Sequence, residues 1–215
     1  MDIEVVDLST SIASLSTPMF PGYPQPLKST YTTIEENGYR SHVWSFVEHT
    51  ATHVDAPAHF LKHGLTIEKV PLSRYVGHGI ILNFSKKKRK YAIRRDDIVK
   101  AVGERKVGLG SVMLFYTGYT AKSNSPEWMD HPELTKEACE YIVKTKVKAI
   151  GFDAPSPDRG KFPAHHILLP AKIGIYECLN NLGKLLNKDF IFVGAPLPLV
   201  GGSASPVRAL ALVFH

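Results

Sequence analysis

The sequence predicts an α/β domain spanning residues 1–215. Two observations carry that expectation. Strand-sized apolar runs alternate with helically spaced apolar residues along the chain, with no long linker between them. A chain of 215 residues, 44% hydrophobic and 21% charged, also has the length and composition to bury a substantial core.

The elements follow in order. Residues 5–8 (Val-Val-Asp-Leu) read as a strand, and 43–47 as another, with Trp44 and Phe46 on one face and Val43, Ser45 and Val47 on the other. Residues 79–84 (Gly-Ile-Ile-Leu-Asn-Phe) form a third strand. Ile98, Val99 and Val102 put an apolar stripe on a short helix over 94–102. Residues 112–116 are a strand ended by Gly118, and 135–146 a helix with Thr135 as N-cap and Glu137 in its first turn. Residues 149–152, 190–193 and 207–214 read as buried strands, while Ile175, Leu179, Leu182 and Leu186 have helical spacing. Proline-rich stretches at 18–24, 154–157 and 195–198 punctuate these elements where rigid turns can hold loops, although plain strand termination explains each one equally well.

Composition narrows the function classes. No apolar run reaches the length of a membrane span, and the acidic start running straight into a strand is no signal peptide. Cys139 and Cys178 form no paired motif, as expected in a reducing compartment, so a cytoplasmic protein is the expectation. The net charge of +6 is local: between Ser85 and Lys106 ten Lys or Arg face three acids, an excess of seven. The run at 86–90 (Lys-Lys-Lys-Arg-Lys) reads as a solvated loop after a strand. Nucleic-acid binding is the minor alternative, because only Tyr91 offers a stacking surface nearby.

The densest chemistry lies in His49-Thr50-Ala51-Thr52-His53-Val54-Asp55-Ala56-Pro57-Ala58-His59, three imidazoles and a carboxylate in eleven residues. Imidazole nitrogen and carboxylate oxygen suit zinc, manganese or non-haem iron, and there is no nearby thiolate for a structural cysteine site. On a helix, His49 and His53 would share a face while Asp55 and His59 would point away. The β-branched Thr50, Thr52 and Val54, with Pro57 restricting Ala56, favour an irregular turn after a strand. His49, His53 and Asp55 supply three ligands and leave a catalytic position open; His59 serves equally as proton shuttle or as fourth ligand. Further ligands are sought at His165, His166 and Glu177, for which a polar loop pair and an exposed helix glutamate are the bland alternatives.

His49-x-x-x-His53-x-Asp55-x-Pro57-x-His59-Phe60 resembles the signature of the metal-dependent cyclase/hydrolase family, which includes bacterial kynurenine formamidase and isatin hydrolase. The resemblance runs nearly end to end. It takes in Phe20-Pro21-Gly22, the block from Ile150 to Asp158 followed by His165 and Glu177, then Pro196-Leu197-Pro198-Leu199 and Ser205-Pro206-Val207-Arg208. It implies a swivelling β/β/α domain with a mixed, barrel-like β-sheet flanked by helices, in homodimers or homotetramers. It also implies a two-metal site of zinc, or alternatively manganese. His49, His53 and Asp55 would hold one ion, Asp55 would bridge, and His165 with Glu177 would hold the second. His59 would be the acid/base, Phe20 would line the substrate pocket, and His166 would be a bystander. Three positions depart from the family pattern: Ala51-Thr52 replaces Gly-Thr, Tyr23 replaces an acidic residue, and Gly202-Ser203-Ala204 replaces a Gly-Asp-Gly-like turn.

The implied function is hydrolysis of a small aryl formamide or amide, arylformamidase-like, with metal-bound hydroxide attacking the carbonyl and His59 moving the proton. The alternatives are an isatin hydrolase-like opening of a cyclic amide or lactone, and a metal-binding protein without catalysis.

Overall fold

Alternation of side chains across one sheet decides the architecture. The computed structural model describes residues 2–215; Met1, the first residue of the expected domain, lies outside them. The strands are β1 (Ile3–Asp7), β2 (Leu27–Thr32), β3 (Ser41–Ser45), β4 (His53–Asp55), β5 (Val76–Asn83), β6 (Ala92–Ile93), β7 (Ser111–Tyr116), β8 (Glu133–Leu134), β9 (Ala149–Phe152), β10 (Gly174–Glu177), β11 (Phe190–Val193), β12 (Ala204–Pro206) and β13 (Leu210–Phe214). The helices are α1 (Ile34–Asn37), α2 (Arg95–Val102), α3 (Lys136–Thr145) and α4 (Pro163–Leu168).

Nine strands form one sheet in the order β1-β13-β11-β5-β7-β9-β10-β4-β12. From β5 through β7 and β9 to β10 the pairing is parallel; on both flanks it is antiparallel. The result is a mixed, curled half-barrel with helices, as the sequence reading expected. Ile80 and Leu82 of β5, Met113 and Phe115 of β7, Ile150 and Phe152 of β9, and Ile175 of β10 point to one face. Ile98 and Val102 of α2, Ala138, Cys139 and Ile142 of α3, and Ala164 and Leu168 of α4 pack there. The intervening residues Ile81, Val112, Leu114, Ala149 and Tyr176 enter a second cluster with Val6, Phe190 and Phe192. A parallel strand covered on both faces has to be apolar at nearly every position, which is why these runs looked continuous in the sequence.

Most expected elements stand within a residue or two. β9 and β11 match their expected bounds, and Thr135 caps α3 by accepting from the Ala138 N–H at 3.3 Å. The strand expected over 43–47 is β3, which ends at Ser45 and pairs only with β2 in a separate ribbon; Val43, Trp44 and Phe46 are all exposed. The helical spacing from Ile175 to Leu186 is overturned. Ile175 to Glu177 belong to β10, Cys178 and Asn181 take left-handed φ of 55° and 57°, and only a 3-10 turn at Leu182–Leu185 is helical. Pairing with β9 and β4 on either side outweighs a local periodicity that is ambiguous in so short an apolar run.

The basic run after β5 is a turn largely tied to carboxylates. Lys87 pairs with Asp97 at 3.2 Å, Lys90 with Asp130 at 3.1 Å, and Arg89 also reaches Asp130. Among the described residues no helix is long and apolar enough to cross a membrane.

Candidate metal centre

β4 is three residues long, and its alternation separates packing from chemistry. Val54 enters the second core cluster, while His53 and Asp55 point to the opposite face. Antiparallel pairing sets Glu177 of β10 directly across from His53. α4 packs over the same face and delivers His165, which is buried, whereas His166 next to it is exposed and meets only the edge of Phe60. His49 comes from the turn ahead of β4, and His59 ends the 3-10 turn Pro57–His59 behind it. The segment expected to be one irregular turn is thus turn, short strand and turn. Glu177 is a buried strand residue rather than an exposed helix glutamate.

All six expected site residues other than Phe20 converge. His53 Nε2 lies 3.6 Å from Asp55 Oδ1 and 3.4 Å from Glu177 Oε2; His165 Nε2 lies 3.3 Å from Asp55 Oδ2 and 3.4 Å from Glu177 Oε1. His49 Nδ1 approaches Asp55 Oδ1 at 3.0 Å. Among the described residues, two groupings of ligand atoms meet the spacing of an ion site, His53–Asp55–Glu177 and His49–Asp55–His59, and Asp55 is in both. His49 and His53 face the same oxygen, Asp55 Oδ1, while His165 faces Asp55 Oδ2 and Glu177 Oε1; His53 also reaches Glu177 Oε2.

These close approaches are not aligned as hydrogen bonds. His53 Nε2, both Asp55 oxygens and Glu177 Oε1 are buried with no hydrogen-bond partner. Four unpaired donor atoms in one spot would be costly unless something fills their lone pairs. A divalent ion does so. Nitrogen and oxygen ligands ~2.1 Å from a tetrahedral ion stand about 3.4 Å apart, close to the 3.0 and 3.6 Å from His49 and His53 to Asp55 Oδ1 and the 3.3 and 3.4 Å from His165 to Asp55 Oδ2 and Glu177 Oε1. The residues fit a metal.

The outward nitrogens are anchored. His53 Nδ1 is 2.8 Å from the Ala51 carbonyl, and His49 Nε2 is 3.2 Å from Ser203 Oγ, which in turn donates to Glu48. Ala51 adopts φ of 52°, a left-handed conformation that glycine takes without strain, at the place where the resemblance leads one to expect glycine. His165 Nδ1 is 2.7 Å from Asp158 Oδ2.

Without an ion the cluster holds protons. Burial opposes charging His53, but Glu177 and Asp55 push its pKa up to about 9; His165 is likewise raised by Asp158, Asp55 and Glu177 against its burial. Burial works against ionising Asp55 too, yet the imidazoles of His165 and His49 hold it well below the usual carboxylate range. His59 differs: desolvation dominates and lowers it. An ion entering this site displaces protons from His53 and His165.

Above the centre opens a cavity of about 220 Å³, walled by Phe20, Tyr23, Phe60 and Phe162. Phe60 stacks on His165 with centroids 4.7 Å apart, and Tyr23 lies parallel to His49 at 5.9 Å. Phe20 lines the cavity. Sequence reasoning missed Phe162, which lies three residues ahead of His165, and Asp158, whose only signal was its place in the block before that histidine.

Fold and site define an α/β protein with a mixed half-barrel sheet and a buried histidine–carboxylate centre. The chain belongs to the cyclase family: the family model described as "Putative cyclase" matches residues 6–159. It is 31% identical over 197 residues to a kynurenine formamidase of Geobacillus thermodenitrificans, covering 89% of this chain and 90% of that one. It is 27% identical over 246 residues to an isatin hydrolase of Roseibium aggregatum, covering 99% and 92%. A crystal structure of an isatin hydrolase bound to the product analogue thioisatinate superposes with a TM-score of 0.92 at 24% identity, covering 99% of this chain and 93% of that one.

Proposed function

We propose that this protein is a metal-dependent hydrolase of a small aryl amide, with an aryl formamide as the first substrate class. The observation that carries the proposal is the set of orphaned donor atoms on His53, Asp55 and Glu177 at the base of an aromatic cavity. His49, His53 and Asp55 would hold one divalent ion, and Asp55, His165 and Glu177 a second; zinc is the first expectation and manganese the alternative. An ion bound there supplies a Lewis acid that polarises a carbonyl and acidifies water.

The chain's own residues do the rest. Phe20 and Phe162 pack on each other with ring centroids 6.4 Å apart, and this apolar wall of the cavity would seat an aryl group and keep bulk water from the reacting carbonyl. His59 borders the cavity, and its desolvated imidazole stays neutral near pH 7. A free ring nitrogen can then take a proton from the attacking water and return it to the leaving nitrogen. Assembly into homodimers or homotetramers belongs to the same proposal and is read by light scattering.

One observation favours a second reading, opening of a neutral cyclic aryl amide. Among the described residues, no lysine or arginine lines the cavity. N-formylkynurenine carries an ionised amino-acid group that a basic side chain would recognise; isatin carries no such charge. Turnover of both compounds by metal-stripped protein reconstituted with zinc or with manganese separates the readings. Hydrolysis of neither, with either ion, would refute the proposed function.

A further inference from the structure

Of the three imidazoles whose outward nitrogens are anchored, His165 alone is held by a carboxylate. His53 rests on a backbone carbonyl and His49 on a hydroxyl. Asp158 is fully buried, and its oxygens accept three N–H groups: Oδ1 from Ala164 N at 2.8 Å, Oδ2 from His165 N at 3.1 Å and from His165 Nδ1 at 2.7 Å. The neighbouring Arg159 turns away to Glu133 at 2.5 Å, so it does not draw this carboxylate off. Phe162, at the N-cap position of α4, contributes no side-chain cap, so Asp158 both closes the first turn of α4 and grips the ring that the turn carries.

We propose that Asp158 is a positioning residue for the metal centre: it fixes His165 as the Nδ1–H tautomer, so that Nε2 presents its lone pair towards Asp55 and Glu177. With the proton on Nε2, the ring could not ligate on that side. The backbone N–H of His165 and the ring Nδ1–H converge on the same oxygen, which sets the ring's rotation as well as its tautomer. Outer partners of this kind are worth about 10–100-fold in metal affinity. This inference rests on the reading that His165 is a ligand.

The test is zinc titration of metal-stripped, full-length protein against a chromogenic chelator, for wild type, Asp158→Asn, Asp158→Ala, His165→Ala and the double variant Asp158→Ala/His165→Ala. An asparagine oxygen can take the Oδ2 place, where two N–H groups meet, but without the charge. Asp158→Asn should therefore weaken zinc by about 10-fold and Asp158→Ala by about 100-fold. In the His165→Ala background, Asp158→Ala should cost nothing further. As a second readout, the slowly exchanging His165 Nδ1–H signal in the NMR spectrum should persist in Asp158→Asn and vanish in Asp158→Ala. Thermal melting verifies that each variant is folded, and Asp158→Asn keeps the test open if the alanine variant does not fold. Zinc affinity unchanged in Asp158→Asn and Asp158→Ala, or an equal loss in the His165→Ala background, would overturn the inference. Wild-type zinc binding by His165→Ala would instead overturn the reading beneath it.

Discussion

Replacing Gly64 by alanine should slow turnover while leaving the metal centre filled. Gly64 packs against the 3-10 turn that carries His59. A Cβ there would lie 2.5 Å from the Pro57 carbonyl carbon and 2.6 Å from the Ala58 nitrogen. Carbon atoms rest in contact at about 3.5 Å, so one backbone segment must retreat by about 1 Å. Neither neighbour is the end of a flexible side chain, and Ala58 is further tied by its N–H to the Leu65 carbonyl at 3.0 Å. The displacement therefore reaches His59, while β4 stays pinned between β10 and β12. A 1 Å misplacement of a reacting group costs ~100-fold in rate, or about 2.7 kcal/mol of barrier. Overpacking adds about 1–3 kcal/mol of lost stability. The assay is kcat and KM on whichever substrate is turned over, beside zinc content and a melting curve. Wild-type kcat in a folded Gly64→Ala protein would refute the coupling. Loss of zinc along with activity would show that the turn supports the ligands rather than His59.

Other outcomes follow from the same geometry. His59→Ala should retain metal and lose about 10²–10⁴-fold in turnover, whereas His53→Ala should lose metal; equal metal loss in both would make His59 a ligand. Because burial lowers the His59 pKa, and the neutral ring is the active form, kcat/KM should fall only as the pH drops below the ordinary 6.5, and an acidic limb above that value would contradict the role. Phe20→Ala should raise KM by about 10-fold with kcat and zinc content held, since a hydrophobic pocket contact is worth roughly 1–3 kcal/mol; an unchanged KM removes Phe20 from the pocket. Asp153 is buried and accepts Thr117 N, Thr117 Oγ1 and Gly118 N at 2.6–2.7 Å. Asp153→Ala strands those donors at a cost of about 3 kcal/mol, seen as a fall in Tm of roughly 6–12 °C; a shift under 2 °C would sink that account.

The candidate ligands were legible because they are dense in sequence and chemically unusual; the geometry among them was not. Spacing grouped His49 with His53, and both reach Asp55 Oδ1 across the Ala51 bend, but no local pattern announced that the strand ladder sets Glu177 across from His53. The element that carries Glu177, not the residue, was misread, because β10 is buried on both faces and a short run of that kind carries no period that distinguishes strand from helix. Strands β9 and β11 and helix α3 were readable, since local capping and apolar pattern agreed with the final packing there. Asp158 was hidden by its distance along the chain, seven residues before the ring it grips.

The pairing of β4 with β10 has a consequence for how such proteins diversify. Asp55, His53 and Glu177 are spaced by the hydrogen bonds of a ladder in which a one-residue slip would turn every ligand into the wrong layer. The aromatic walls ride on connecting segments, Phe20 and Tyr23 in a proline-rich turn and Phe162 at a left-handed corner. Mutation can rework those segments without touching the ladder. Change in what the cavity admits is thereby separated from change in the centre beneath it, and sequence relatives named for two different substrates accord with such a division of labour.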